Sequence, residues 1–301
     1  MLKSFSWPKK STEWIDQRTL FVSIPFTWLL PDLYSVFQTR SFLYDKIIIG
    51  GPGIELIPNF FNDLTHVEVR HSMPGVLQKI NLFATRTTIG CPRKCKFCGI
   101  GKGLIEAEYK ELKEWPDLPV LMDNNLLASS EKHFDKVMER LKKHSWCDFN
   151  QGIDVRLLNP YHAKRLAELH NPVIRLALDS MKQSKKWERA FELLRKAGIA
   201  KSKISSYCLI GFNDKPDEAW KRCDFVESFK IKAYPMWYHA LDQLRLNIVT
   251  EKQKKLGWSE EKRKQIMGYY YKHRGQHLLN GSRKKQGGKD TSGQMSFEDF
   301  E

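Results

Sequence analysis

Cys91, Cys95 and Cys98 stand within eight residues, in the run Thr87-Thr88-Ile89-Gly90-Cys91-Pro92-Arg93-Lys94-Cys95-Lys96-Phe97-Cys98-Gly99. Thiolates are the usual ligands of a 4Fe-4S cube, and a cube has four iron corners. Three cysteines at this spacing read as three ligands of one cluster, with the fourth iron left open to bind a substrate or cofactor. Structural zinc is the competing reading, but it prefers four ligands, commonly two pairs or an added histidine at short spacing. His71 lies well upstream in a different context. A redox-sensing cysteine set is a further alternative. Cys147, Cys208 and Cys223 are scattered through apolar or mixed segments and read as buried small hydrophobes, not as a second ligand set.

The elements that would position these cysteines alternate regularly. The pattern predicts strands at 87–90, 119–123, 149–156, 173–179, 204–211 and 233–238, with helices between them at 106–114, 131–143, 160–169, 185–197 and 217–228. Six β-α repeats make a parallel sheet, because each return crossover is right-handed. Upstream, a strand at 20–28, a helix at 31–40 and a strand at 46–49 lead into Gly50-Gly51-Pro52-Gly53. That β-α-β unit is half of a doubly wound domain. After residue 244 the chain turns helical and basic, at 251–256 and 260–271. Residues 280–289 have the composition of a flexible basic linker, and 295–301 read as a frayed end.

With 301 residues, 41% hydrophobic and 28% charged, the chain can bury one large core, or one core and a small module. No run approaches the roughly 18 apolar residues of a membrane span, and the N-terminus lacks the basic-then-apolar pattern of a signal peptide. A cytoplasmic protein without membrane partners is expected, and with it reduced cysteines.

The spacing C-x3-C-x2-C, with Phe97 before the last cysteine and Gly99 after it, resembles the signature of the radical S-adenosylmethionine (radical SAM) enzymes. The resemblance implies a 4Fe-4S cluster on Cys91, Cys95 and Cys98, SAM chelated to the open iron through its amino and carboxylate groups, and Phe97 beside the adenine. It also implies reductive cleavage of SAM to a 5'-deoxyadenosyl radical that abstracts hydrogen from a substrate, with an external electron donor of the flavodoxin or ferredoxin type. The implied fold is α/β: a partial (β/α)6 barrel at 81–245, preceded by a truncated Rossmann-like segment at 1–80 and followed by a helical extension at 246–279 and a basic tail at 280–301. Segment 1–80 resembles the second half of a cobalamin-binding domain, and a degenerate remnant without cobalamin is expected. The segments Phe149-Asn150-Gln151-Gly152-Ile153-Asp154-Val155-Arg156, Ile174-Arg175-Leu176-Ala177-Leu178-Asp179 and Tyr234-Pro235-Met236 are similar to uncharacterised bacterial and phage members.

Polar residues at strand C-termini are where an α/β barrel builds its site. They are Asp123-Asn124-Asn125 after the second predicted strand, Gln151, Asp154 and Arg156 on the third, Arg175, Asp179 and Ser180 on the fourth, Gly211-Phe212-Asn213 after the fifth, and Tyr234, Met236 and Tyr238 on the sixth. By the resemblance, Asp123 and Asn124 take the place of the group that holds the SAM amino end. Arg156 or Arg175 would suit its carboxylate, and Asp154 or Asp179 its ribose hydroxyls. Gly211 would let the adenine approach the backbone. The structural alternative for these charges is an internal Arg–Asp pair.

The formal charge of +15 favours a polyanionic partner, although solvated lysine faces explain part of it. A nucleic acid or nucleotide is therefore one candidate substrate, and Trp237, Tyr238 and Tyr269–Tyr271 are candidate stacking residues. A helix core is the other reading of the tyrosines. A peptide or small metabolite is the second substrate class. A non-enzymatic iron-sulfur or zinc protein that binds nucleic acid is the alternative function. Nothing in the sequence specifies an oligomeric state.

Overall fold

The computed structural model describes residues 9–71, 73, 75–106 and 108–272. The expectations for 280–289 and 295–301 lie outside the described residues. Two cores organise the rest. The first belongs to a four-stranded sheet in the order β1-β2-β3-β4. Strands β1 (Thr12–Asp16) and β2 (Thr19–Ser23) form an antiparallel hairpin, while β2, β3 (Lys46–Gly50) and β4 (Val67–Val69) run parallel. Helix α1 (Leu30–Arg40) makes the crossover from β2 to β3, and the short α2 (Pro52–Leu56) follows the glycine-rich turn. Val22, Ile24, Leu30, Phe37, Ile47, Ile49, Ile54 and Phe61 close this core. The predicted β-α-β unit is present here; β1 and β4 were not anticipated.

The second core carries a six-stranded sheet in the order β12-β11-β10-β9-β8-β5. After α3 (Val76–Ile80), its strands are β5 (Ala84–Thr85), β8 (Val120–Leu121), β9 (Cys147–Phe149), β10 (Pro172–Leu178), β11 (Ile204–Ile210) and β12 (Lys232–Trp237). Every neighbouring pair in it is parallel. The crossovers are α4 (Glu131–Leu141), α5 (Pro160–Ala167), α6 (Ser184–Lys196) and α7 (Pro216–Ser228). The period of two along a strand divides its faces. Ile174, Leu176 and Leu178 of β10 and Ile204, Ser206, Cys208 and Ile210 of β11 are fully buried, whereas the alternate residues are half-buried. Arg175, Ala177, Tyr207 and Leu209 therefore share the opposite face.

The helices start where the sequence provides caps. The side chains of Ser130 and Asn159 accept hydrogen bonds from the backbone N–H of His133 and His162. Helix α4 buries Phe134, Val137, Met138 and Leu141 at helical spacing. Trp187 of α6 is fully buried and donates its indole N–H to Ser206 Oγ at 2.9 Å. Helices α8 (Glu251–Lys255) and α9 (Glu260–Lys272) finish the described chain. Gln253 Nε2 of α8 ties the ends of β11 and β12 together, donating to the Gly211 and Tyr238 carbonyls at 2.9 and 3.1 Å.

The strand predicted at 20–28 ends at Ser23 and gives way to a 3-10 turn at Thr27–Leu29, and three predicted elements around the second core differ. The first sheet strand is Ala84–Thr85 and not 87–90; β6 (Thr88–Ile89) pairs antiparallel with β7 (Lys110–Glu111). Asp123 causes the departure. Its Oδ1 accepts from the backbone N–H and the hydroxyl of both Thr87 and Thr88, so those N–H groups are withdrawn from the sheet. The helix predicted at 106–114 is a loop containing β7. There Glu106 adopts φ +61°, and its carboxylate accepts from Arg86, the Gly90 N–H and Asn124 Nδ2. The third strand ends at Phe149 because Gly152 turns at φ +89°. Ile153 returns for a single parallel bridge to Leu176.

Candidate cofactor and metal site

Above the C-terminal ends of these strands lies a cavity of about 320 Å³. It receives Cys91, Cys95, Phe97 and Cys98 from the loop after β6, Asn124 and Asn125 from the turn after β8, and Gln151, Asp154 and Arg156 from the segment after β9. Ala177 and Asp179 arrive from β10, Tyr207 and Leu209 from β11, and Met236 from β12. Cysteines 91, 95 and 98 are half-buried and free, whereas Cys147, Cys208 and Cys223 are buried elsewhere in the core. Burial pushes the Cys147 thiol up to about 12, which suits a packed thiol and not a ligand.

The cysteine loop is folded tightly on itself. Cys98 N–H donates to the Cys95 carbonyl at 3.1 Å, and Lys102 N–H donates to the Cys98 carbonyl at 3.1 Å. A Cβ on Gly101 would stand 2.5 Å from the Cys95 nitrogen and 2.7 Å from its oxygen, so only glycine fits at that crossing. Burial raises the Cys95 thiol above its usual range, and the charge and hydrogen bond of Arg156 oppose that rise.

Asp154 braces the wall facing the cysteines. Its carboxylate accepts from Arg156 Nε at 2.6 Å and Nη2 at 2.9 Å, from Arg93 Nε at 3.1 Å and from Asn125 Nδ2 at 3.1 Å. Burial pulls this carboxyl upward, but the hydrogen bonds and charges of Arg156 and the charge of Arg93 outweigh it and hold the group below the ordinary range. One carboxylate thus places two guanidiniums at the cavity, one of them against Cys95. Asp179 has no such brace: burial raises it, against the charges of Arg156 and Arg222.

Eleven of the residues nominated from the sequence meet at this cavity: the three cysteines, Phe97, Asn124, Asn125, Gln151, Asp154, Arg156, Asp179 and Met236. Three of the nominated SAM contacts lie off its wall. Asp123 is buried beneath the cysteine loop, where it holds Thr87 and Thr88; burial raises its carboxyl, against those hydrogen bonds. Arg175 shares the face of Ala177 but lies a pleat deeper, and its Nη1 and Nη2 donate to Asp148 of β9. Gly211 turns at φ +81°, and a Cβ there would meet the Trp237 ring at 2.5 Å; its demand for glycine comes from that indole.

Arg93 and Tyr207 also line the cavity and had not been singled out. Tyr207 was legible in the alternation of β11. Asn125 was legible as part of the polar strand end Asp123-Asn124-Asn125, whereas Arg93 depends on Asp154, distant in sequence, and left no local signal.

The residues fit an iron-sulfur cluster by the chemistry of the donor set: three thiols, and no histidine, line the cavity. The thiols are not preassembled, since among the described residues no three Cys, His, Asp or Glu side chains already form a metal nest. The cavity also fits a polar organic ligand. Asn125 is buried, and its Oδ1 has no hydrogen-bond partner, leaving an acceptor for an ammonium or hydroxyl group. No model of a known sequence family matches the chain, and no curated protein matches it either.

Proposed function

We propose that the chain is a radical SAM enzyme, with a 4Fe-4S cluster on Cys91, Cys95 and Cys98 and SAM in the adjoining cavity. The observation that carries this reading is the convergence of the three thiols with polar residues from successive strand ends on one cavity. An isolated zinc knuckle has no need of such a wall. The same convergence supports a curved sheet. Six strands about 4.8 Å apart would span roughly 24 Å if flat, yet the loop beyond β5 and Met236 of β12, the two edges, line one cavity of about 320 Å³. We therefore read the six repeats as a partial β/α barrel.

In this reading Cys91, Cys95 and Cys98 would hold the cluster, with SAM beside it in the cavity. With one electron from a flavodoxin- or ferredoxin-like donor, the two cofactors would supply reductive cleavage of the carbon–sulfur bond to methionine and a 5'-deoxyadenosyl radical that would take hydrogen from the substrate. The chain's own residues bind and orient. Asn125 Oδ1 and Asp179 accept hydrogen bonds from the ammonium and hydroxyl groups, Arg156 and Arg93 supply positive charge for the carboxylate, and Phe97 offers an apolar face to the adenine. Asp154 is a positioning residue that fixes both arginines. Tyr207, Leu209 and Met236 exclude water.

The test is anaerobic reconstitution with iron and sulfide, dithionite reduction in the presence of SAM, and chromatography for 5'-deoxyadenosine and methionine. The two products should appear in equal amounts and disappear in Cys95→Ala. A cluster that forms while SAM stays intact under a competent reductant would instead favour a non-enzymatic iron-sulfur protein.

A further inference from the structure

The rim of the cavity is cationic, and those cations are unpaired. Lys94 and Lys96 alternate with Arg93, Cys95 and Phe97 on the cysteine loop; the latter three line the cavity, and the two lysines are exposed. Across the mouth, Lys182 and Lys185 flank the cavity residue Gln183 and are exposed as well. None of these four forms an ion pair or side-chain hydrogen bond with a described residue. Some surface lysines elsewhere do find carboxylates, as Lys136, Lys142 and Lys254 do.

Beside this rim runs a line of aromatic rings. Phe97 on the cavity wall packs edge-on against Phe212 at 5.6 Å, and Phe212 against Tyr238 at 4.8 Å. The next residue, His239, packs on Trp28 at 4.7 Å, and Trp28 stacks on Phe26 at 4.3 Å with the rings 8° from parallel. Phe26 is the outer end and is 37% exposed. Exposed Lys252 stands over Phe212, its Nζ 5.8 Å from the ring centroid. The sequence placed base stacking at Trp237, Tyr238 and Tyr269–Tyr271, and of these Tyr238 belongs to the line of rings. Trp237 and Tyr270 are in fact buried, and the exposed ring comes from the N-terminal unit.

We infer that this surface binds a single-stranded nucleic acid and presents one of its bases to the cavity, with Lys94, Lys96, Lys182 and Lys185 on the phosphates and Phe26, backed by Trp28, stacked on a neighbouring base. The inference rests on the proposed radical SAM activity only for the purpose of that presentation. A small anion would call for donors converging on one point, whereas these lysines are spread along both lips, as a chain of phosphates requires. An acidic protein would satisfy the lysines but has little use for a flat exposed ring. A stacked ring beside a cationic track is the arrangement that grips unpaired bases. A duplex would first have to release the target base, because its reacting atoms are enclosed in the stack.

Binding is tested on the full-length chain by fluorescence anisotropy with labelled 20-nucleotide single-stranded RNA and DNA of mixed sequence, over a salt series. At about 0.7 per phosphate contact, Lys94→Ala/Lys96→Ala/Lys182→Ala should reduce the slope of log K against log salt by about 2. Phe26→Ala should weaken binding roughly five- to 150-fold with little change in slope, and Phe26→Tyr, which keeps a stacking face, should restore most of it. Absence of saturable binding at 50 mM salt would overturn the inference. So would equal competition by polyglutamate, which would mark an acidic protein as the partner, or an unchanged slope in the lysine variant. None of these readouts uses SAM cleavage. Formation of 5'-deoxyadenosine without oligonucleotide reports separately on the reading beneath.

Discussion

His239 joins the two cores, and its protonation should loosen the join. The ring packs on Trp28 of the N-terminal unit and follows β12 of the six-stranded sheet. Its Nδ1 is buried without a hydrogen-bond partner. Burial, together with the charge of Arg263, lowers its pKa from 6.5 to about 4. Between those two values the unfolded chain holds a proton that the folded chain refuses, so stability must fall as pH falls through the window. The contribution is fully present above pH 6.5 and exhausted below about 4. At 1.36 kcal/mol per pH unit, the 2.5-unit gap amounts to about 3 kcal/mol as an upper bound. Urea denaturation of the wild type and of His239→Phe, at intervals from pH 7.5 to 4, isolates this residue from other titrating groups. The phenylalanine keeps a ring against Trp28 and cannot titrate. The stability difference between the two proteins should shift by about 3 kcal/mol in favour of the variant on acidification, with the midpoint of the change between pH 6.5 and 4. Parallel profiles would refute the assignment of His239 as a buried neutral ring.

Other outcomes follow from single contacts. Arg175→Met should destabilise the fold by about 3–5 kcal/mol, because it strands the buried Asp148 carboxylate; Arg175→Met/Asp148→Leu should recover most of that loss in denaturant titrations. A double variant that folds stably but no longer binds SAM would show that Arg175 contacts the cofactor after all. Gly101→Ala should cut the iron and sulfide incorporated on reconstitution to less than half of wild type, since its Cβ meets Cys95 backbone atoms at 2.5 and 2.7 Å; full incorporation would show that the loop can shift. Asp154→Asn removes the charge that holds Arg93 and Arg156. It should weaken SAM binding about tenfold or more, in line with roughly 1.5–3 kcal/mol for a hydrogen bond to a charged group, as read by equilibrium dialysis; unchanged affinity would deny Asp154 its positioning role.

Much of the layout was legible in the sequence, for identifiable reasons. Strands β10, β11 and β12 and helices α4 to α7 were found close to their observed limits, because two-residue alternation and helical spacing are local signals that long buried elements preserve. The failures gather around the cysteine loop. Thr87 and Thr88 have strand propensity, yet their N–H groups serve Asp123, more than thirty residues away. Residues 106–114 have helix-forming composition, yet Glu106 is engaged by Arg86, Gly90 and Asn124. Side-chain pairings at long sequence separation override local preference there. The same limit explains the site. Polar residues at strand ends could be nominated from the chain, but not the depth at which each sits. Register decides that Arg175 meets Asp148 while Asp179, four residues further on, reaches the cavity. Phe26 and Trp28 were unreadable for a different reason: their place at the end of the line of rings depends on the contact of Trp28 with His239, far away in sequence.

The most direct test of the account is the electron paramagnetic resonance spectrum of the reconstituted, dithionite-reduced protein with and without SAM. Three cysteine ligands and one open iron predict a 4Fe-4S signal that changes shape when SAM is added, with a weaker response in Asn125→Ala. A signal indifferent to saturating SAM, or a chain that retains stoichiometric zinc and assembles no cluster, would contradict it.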